Sequence, residues 1–507
     1  MNIFSFALCP SSASFLSALA AFSILFTPMP ARSQRETPPA PSPPRPARFP
    51  SPVERTLSNG LRVVVIEKRG APLAVAQLLI KNGGEVDPPA LAGVAQMTAS
   101  LVTQGTATRT APQIAEAVEA LGGELESGAS WDASIVNVDV EASKLNQAMA
   151  ILADVARRPA FKEEEVARLR QQTLDGLSVA LQQPGQLARL VAARVVFGDS
   201  PYGHALSGTP QSIARIKRDD IVAMHNKFYR PDNAVLVVGG GVNAEDVFKL
   251  AQNLFGDWKN PDGTLTAVPA AKVNNGNNST ANQTTRVVVV DKPDAGQAAV
   301  IVARAGINRK DADFFRALVA NSVLGLGYSA RLNQEIRIKR GLSYGAFSSL
   351  DARRDTGPFI ATTQTKNESG AEVAAILVGE LERLATAPLA ETELAPRKST
   401  LTGNFGRSLE TTEGLVNFVA RLALQGLGFD EINRYVSNVQ AVTGDDVRKF
   451  AGARLDVKRA NVVIVGKASA FIDDLRKRFP NVEVIAASEL DLNSANLRSA
   501  VANPAGN

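Results

Sequence analysis

A chain of 507 residues, 45% of them hydrophobic, can bury more than one core, so its length predicts roughly two to four domains and excludes a single small one. Its net charge of +5 is a mild excess with no Lys/Arg block, so no nucleic-acid role is assigned and no membrane attachment is expected once the leader is removed. Cys9 is the only cysteine and lies in that leader, which excludes a disulfide framework and a thiolate metal site in the mature chain.

Residues 1–33 read as an export signal. Their apolar run from Phe15 to Phe26 is too short to span a bilayer, and Pro30-Ala31-Arg32-Ser33 supplies a cleavage region, placing the protein in the periplasm or otherwise outside the cytoplasm. The segment before the run lacks Lys and Arg, which leaves an uncleaved anchor as the alternative. Residues 34–53 are Pro-rich and read as an extended tether.

The first folded domain is expected over 54–268. A turn at Leu57–Leu61 leads into β-branched strands at Arg62–Lys68 and Leu73–Lys81, followed by a helix from Gly93. A second helix starts at Thr110 with Pro112 in its first turn and stops at Gly122-Gly123. Strands near Glu124–Glu126 and Ser134–Glu141 come next, then helices over Ser143–Arg158 and Lys162–Leu181, and a closing strand at Ala234–Val238. The only histidines, His204 and His225, show no ligand spacing and read as structural. Gly239-Gly-Gly241 and Gly325-x-Gly327 complete no phosphate-binding motif, so turn and packing roles suffice.

The pattern then recurs. Phe161-Lys-Glu-Glu-Glu165 is echoed by Leu389-Ala-Glu-Thr-Glu393, Arg218-Asp-Asp-Ile221 by Gly444-Asp-Asp-Val447, and Asn233–Val238 by Asn461–Val465, all at spacings near 226 to 228 residues. Three matches in order at one offset predict a tandem duplication. The fold class expected is α+β: two homologous domains, each a mainly antiparallel sheet covered by helices, arranged as a clamshell. The Asn/Thr-rich stretch 269–285 is the predicted linker, 286–468 the second domain, and 469–507 a tail whose end is expected to be disordered.

Two stretches carry chemistry. Leu91–Thr106 reads LAGVAQMTASLVTQGT, with Gly93, Val94, Ala95, Leu101, Gly105 and Thr106 as a frame around Gln96, Ala99 and Ser100. In the second half, Ser329-Ala-Arg331-Leu332 runs through Arg337 to Gly341-Leu-Ser-Tyr344. With Thr56–Gly60, Pro201-Tyr202-Gly203 and Tyr229-x-Pro231, these segments resemble the pitrilysin/insulinase-type zinc metallopeptidases, which include the mitochondrial processing peptidases, over roughly residues 54–468.

In that family the helix carries His-x-x-Glu-His, which places two imidazoles on one helical face to bind zinc, with the Glu activating a metal-bound water. The resemblance puts Gln96 and Ser100 at the His positions and Ala99 at the Glu position, and none of them can do that work. A third ligand, a Glu about 75 residues on, would fall near Asp175 to Leu177, where Asp175 is the only carboxylate. The resemblance further implies that Arg337 and Tyr344 hold the substrate backbone and the transition-state oxygen, while Arg354 reads as a surface arginine.

With the metal triplet gone and the Arg/Tyr pair intact, the chain resembles the non-catalytic subunit of a two-chain peptidase. The expectation is no metal in this chain, a homologous zinc-bearing partner, and a peptide or unfolded protein as substrate. The alternative is a peptide-binding scaffold without an enzymatic partner. An active peptidase with substituted ligands is the weakest reading.

Overall fold

The computed structural model describes residues 49–265, apart from 69 and 71, and residues 285–499. The export signal, most of the tether, the linker apart from Thr285, and residues 500–507 of the tail lie outside the described residues.

Among the described residues, twelve strands form two separate sheets. The first holds β1 (Val53–Thr56), β2 (Arg62–Glu67), β3 (Leu73–Ile80), β4 (Glu124–Ala129), β5 (Ser134–Glu141) and β6 (Ala234–Gly240), in the order β1-β2-β6-β3-β5-β4. The second holds β7 (Val287–Asp291), β8 (Ala298–Ala305), β9 (Ala346–Leu350), β10 (Pro358–Thr365), β11 (Asn461–Gly466) and β12 (Val482–Ala486), in the order β12-β7-β11-β8-β10-β9. Five strands of each sheet follow one another identically, β2-β6-β3-β5-β4 matching β7-β11-β8-β10-β9, and each set has one parallel pair, β2 with β6 and β7 with β11. The duplication predicted from short echoes is therefore a duplication of topology, and the fold is the expected α+β clamshell of two mainly antiparallel sheets.

Strand sequences such as RVVVIE and NVVIVG lack the alternation of a half-exposed sheet because both faces are covered. One face of each sheet packs against helices of its own half. The other face receives a helix from the opposite half. Pro184–Phe197 lays Leu187, Val191 and Ala192 on Val288, Ile301 and Val463 of the second sheet. In return Thr412–Gln425 lays Leu415, Val416 and Val419 on Val64, Ile66 and Val237 of the first. The halves are thus clasped by exchanged helices, and the described residues make up one compact unit.

The predicted boundary at 468 is corrected. The second half continues through the helix Ile472–Arg478 into β12, which pairs parallel with β7 and completes the sheet. Beyond it, Leu497 is fully buried, and Arg194 of the first half donates two hydrogen bonds, at 2.9 and 3.2 Å, to the Leu492 carbonyl. The segment up to 499 is therefore a structural strap rather than a loose tail.

Candidate functional site

The helix Val94–Leu101 starts at Gly93, whose φ of +97° is open to glycine without strain. No side chain at the N-cap bonds the helix. Asp87 does that work from outside, its two carboxylate oxygens accepting from the Gly93 and Ala95 amides at 2.7 and 2.9 Å. Burial, outweighing these two bonds, pushes the Asp87 carboxyl up to about 8.

At the three chemically decisive positions the helix carries an amide, a methyl and a hydroxyl. Gln96 turns its Oε1 to the Ala129 amide on β4 at 3.1 Å and its Nε2 to Ser100 Oγ at 3.4 Å. Both groups are therefore used in tying the helix to the edge of the first sheet. Ala99 is fully buried and its methyl offers no proton acceptor. Asp175 does not join them. On the helix Glu163–Gln182 the stripe facing the core runs through Val166, Leu169, Leu174 and Leu177, whereas Asp175 is exposed and accepts from Gln171 at 2.8 Å. Two residues apart on a helix are about 200° apart around it, so Leu177 faces inward and Asp175 outward. Asp175 is thereby corrected as the third position of the degenerate set. These residues do not fit zinc, and among the described residues no three His, Cys, Asp or Glu side chains gather in a metal-binding group. His204 and His225 are buried and bonded to backbone carbonyls of Gly84 and Ala156 at 2.9 Å each, in line with the structural reading.

Arg337 sits in a local irregularity. The short helix Arg331–Asn333 runs into a π-helical turn, Gln334–Ile338, closed by the Lys339 amide donating to the Gln334 carbonyl at 2.9 Å. Such one-turn widenings re-aim side chains and are frequent at functional sites. Beneath the turn, Glu335 is buried. Burial alone would raise its carboxyl, but hydrogen bonds from Lys339 and Arg340 prevail and hold it down at about 2. The Arg337 guanidinium stacks over the Tyr328 ring, 4.9 Å from its centroid. Asn333, almost fully buried, donates to the Tyr328 carbonyl at 2.6 Å and accepts from the Ala346 amide at 3.4 Å, joining the two ends of the segment. Tyr344 is 89% exposed, and Tyr328, Ile338 and Phe347 are exposed beside it in sequence. No hydrogen bond or ring contact links Arg337 to Tyr344 among the described residues.

Sequence reasoning missed a second constellation. The β9–β10 turn of the second half enters the first, where Arg353 stacks on Trp131 and Tyr202 at 4.6 and 4.7 Å from the ring centroids. Arg354 donates to both the backbone and the side chain of Asp132 and lies 3.5 Å from Glu85. Arg354 is therefore an inter-half clasp and no inert surface residue. Burial pushes Glu85 up to about 7 against bonds from the Gly83 amide and Asn82. The only signal for this site was a pair of charged residues, Glu85 and Asp87, set among glycines and prolines.

Two sheets of duplicated topology, with Gln96, Ala99 and Ser100 on the first half's helix and an exposed Arg/Tyr segment in the second, define a duplicated two-sheet protein. The chain belongs to the insulinase (peptidase M16) family: residues 62–209 match the model of insulinase, peptidase family M16, and residues 215–401 that of the peptidase M16 inactive domain. It is 27% identical to an uncharacterized zinc protease of Streptomyces coelicolor over 81% of this chain and 88% of that protein. It is 26% identical to one from Mycobacterium leprae, over 81% and 91% respectively. Among solved structures it resembles a peptidase M16 inactive domain from Pseudomonas fluorescens, with a TM-score of 0.75, 25% identity, and coverage of 82% of this chain and 98% of that one. A protease from Helicobacter pylori shares the fold with a TM-score of 0.77 at 22% identity, covering 83% and 100%.

Proposed function

We propose that this chain is the non-catalytic subunit of a two-chain zinc endopeptidase, lending Arg337 and Tyr344 to the active site of a homologous zinc-bearing partner after export from the cytoplasm. The observation that carries the reading is the contrast between the two halves. Gln96, Ala99 and Ser100 are committed to packing and to β4, while Arg337 is cradled on a π-turn and Tyr344 is open to solvent with no hydrogen-bond partner among the described residues.

An arginine and a phenol both donate hydrogen bonds, so together they can hold a peptide carbonyl and stabilise the oxyanion that forms when water attacks it. A metal elsewhere supplies the Lewis acid and the bound water; this chain supplies orientation and charge compensation. The test is co-expression with an M16 homologue that carries His-x-x-Glu-His. The reading predicts a complex that cleaves an unfolded peptide, with neither chain active alone. A zinc-bearing homologue fully active without this chain, and no complex between them, contradicts it and favours the scaffold role.

A further inference from the structure

Arg337 forms no hydrogen bond or ion pair among the described residues, although charged groups surround it in sequence. The nearest carboxylate along the chain, Glu335, is already taken by Lys339, Arg340 and Arg383. What holds the Arg337 guanidinium is the face of the Tyr328 ring. The manner of holding matters for chemistry. A carboxylate fixes a guanidinium by consuming its N–H donors, whereas a ring face attracts the cation through its π-cloud and leaves the five donors on the rim unspent.

Tyr328 is in turn placed by its backbone. Its ring is 61% exposed and contacts no other ring, and its hydroxyl forms no hydrogen bond among the described residues. The loop that carries it, residues 326–330, turns at Gly327, where φ is +94°. Arg397, buried on the helix Glu391–Ser408, donates to the Leu326 carbonyl at 3.4 Å and to Ser329 Oγ at 2.9 Å, on either side of Tyr328. Asn333 bonds the Tyr328 carbonyl itself. The loop is thus pinned at three points by buried side chains, and what it presents to solvent is one ring with Arg337 against it.

We propose that Tyr328 is the positioning residue for Arg337, setting the plane of its guanidinium and keeping its donors free for a peptide carbonyl. The inference rests on the reading of Arg337 as a substrate-holding group and adds the residue that prepares it. A donor oriented in advance loses less freedom when the transition state forms, so its loss of orientation lowers kcat as well as binding. The ring's hydroxyl plays no part in this. Phenylalanine at 328 should therefore serve, and leucine, of similar bulk but without a π-face, should not.

The experiment has two arms. In the full chain carrying isotope-labelled arginine, the Arg337 Nε–H resonance is identified by its absence in Arg337→Ala. It is expected upfield under the ring current, unchanged in Tyr328→Phe, and at the position of a free arginine in Tyr328→Leu. In the pair assembled with a zinc-bearing homologue, Tyr328→Leu is expected to lower kcat about tenfold and raise KM, a smaller copy of the Arg337→Ala change, while Tyr328→Phe keeps the wild-type values. Added to Arg337→Ala, Tyr328→Leu should cost nothing further. Because the ring is exposed, both variants should melt with the wild type. Wild-type kinetics for Tyr328→Leu, or an equal loss in the Arg337→Ala background, overturns the positioning role and leaves the subunit reading standing. A free-arginine resonance in the wild type overturns the stack itself. An upfield resonance together with wild-type kinetics for Arg337→Ala overturns the subunit reading, and the positioning role with it.

Discussion

Gln96, at a position that the family resemblance assigns to an imidazole, uses its Oε1 to accept from the Ala129 amide at the end of β4. Restoring His, Glu and His at 96, 99 and 100 should therefore not restore zinc. Imidazoles at 96 and 100 would still lack a third ligand, because Asp175 faces solvent rather than the helix, and a glutamate at 99 would be buried. Metal analysis after gel filtration should find well under one zinc per chain, and the triple variant should melt at a lower temperature because a buried acid has been added. One zinc per chain would contradict this. The chemical loss was legible in the sequence because it depends on residue type alone. The failure of Asp175 was not, because spacing along the chain locates a helix but leaves a two-residue uncertainty that reverses the face.

Also at this scale, Glu85 and Asp87 have carboxyls raised above their unfolded values of 4.5 and 3.8, to about 7 and about 8. A raised acid stabilises the fold fully below its unfolded value, and that contribution is lost as pH rises through the folded one. The melting temperature should fall between pH 6.5 and pH 8, and Glu85→Gln/Asp87→Asn should flatten the slope. His204 and His225, whose values are lowered by burial, act on the acid side of 6.5 and so lie outside this window. A melting temperature that rises with pH over the window would contradict the assignment.

Among elements, the exchanged helices hold the halves together. Leu415 is fully buried against the first sheet although its helix belongs to the second half. Leu415→Ala should cost about 2–5 kcal/mol in denaturant unfolding and loosen the clasp between halves. Loss of less than about 1 kcal/mol would mean that the helix packs only weakly on its foreign sheet. Helical periodicity in the sequence announces an apolar face but carries no label saying which sheet it covers, so the exchange was invisible there. Strand β12 was missed for a related reason. VEVIA is five residues long and follows a charged helix, and it becomes a strand by pairing with β7, which lies almost two hundred positions earlier. The π-turn under Arg337 likewise leaves no mark in the sequence.

For the whole molecule, the duplication was legible because equal spacing survives divergence of the residues between the echoes, and the shared strand order restates it in three dimensions. What the echoes could not convey is how asymmetric the halves have become. The first half presents a buried, packed helix, the second an open aromatic and arginine segment. That asymmetry makes the account one of division of labour, and its central claim concerns two side chains. The most direct measurement is steady-state kinetics of the assembled pair carrying Arg337→Ala or Tyr344→Phe, with Arg476→Ala as control, a residue exposed and without a hydrogen bond or ion pair among the described residues. The account predicts a loss of about 10- to 1000-fold in kcat for the tyrosine change, a similar loss joined by a higher KM for the arginine change, and unaltered assembly and zinc content. Wild-type rates for both variants would contradict it.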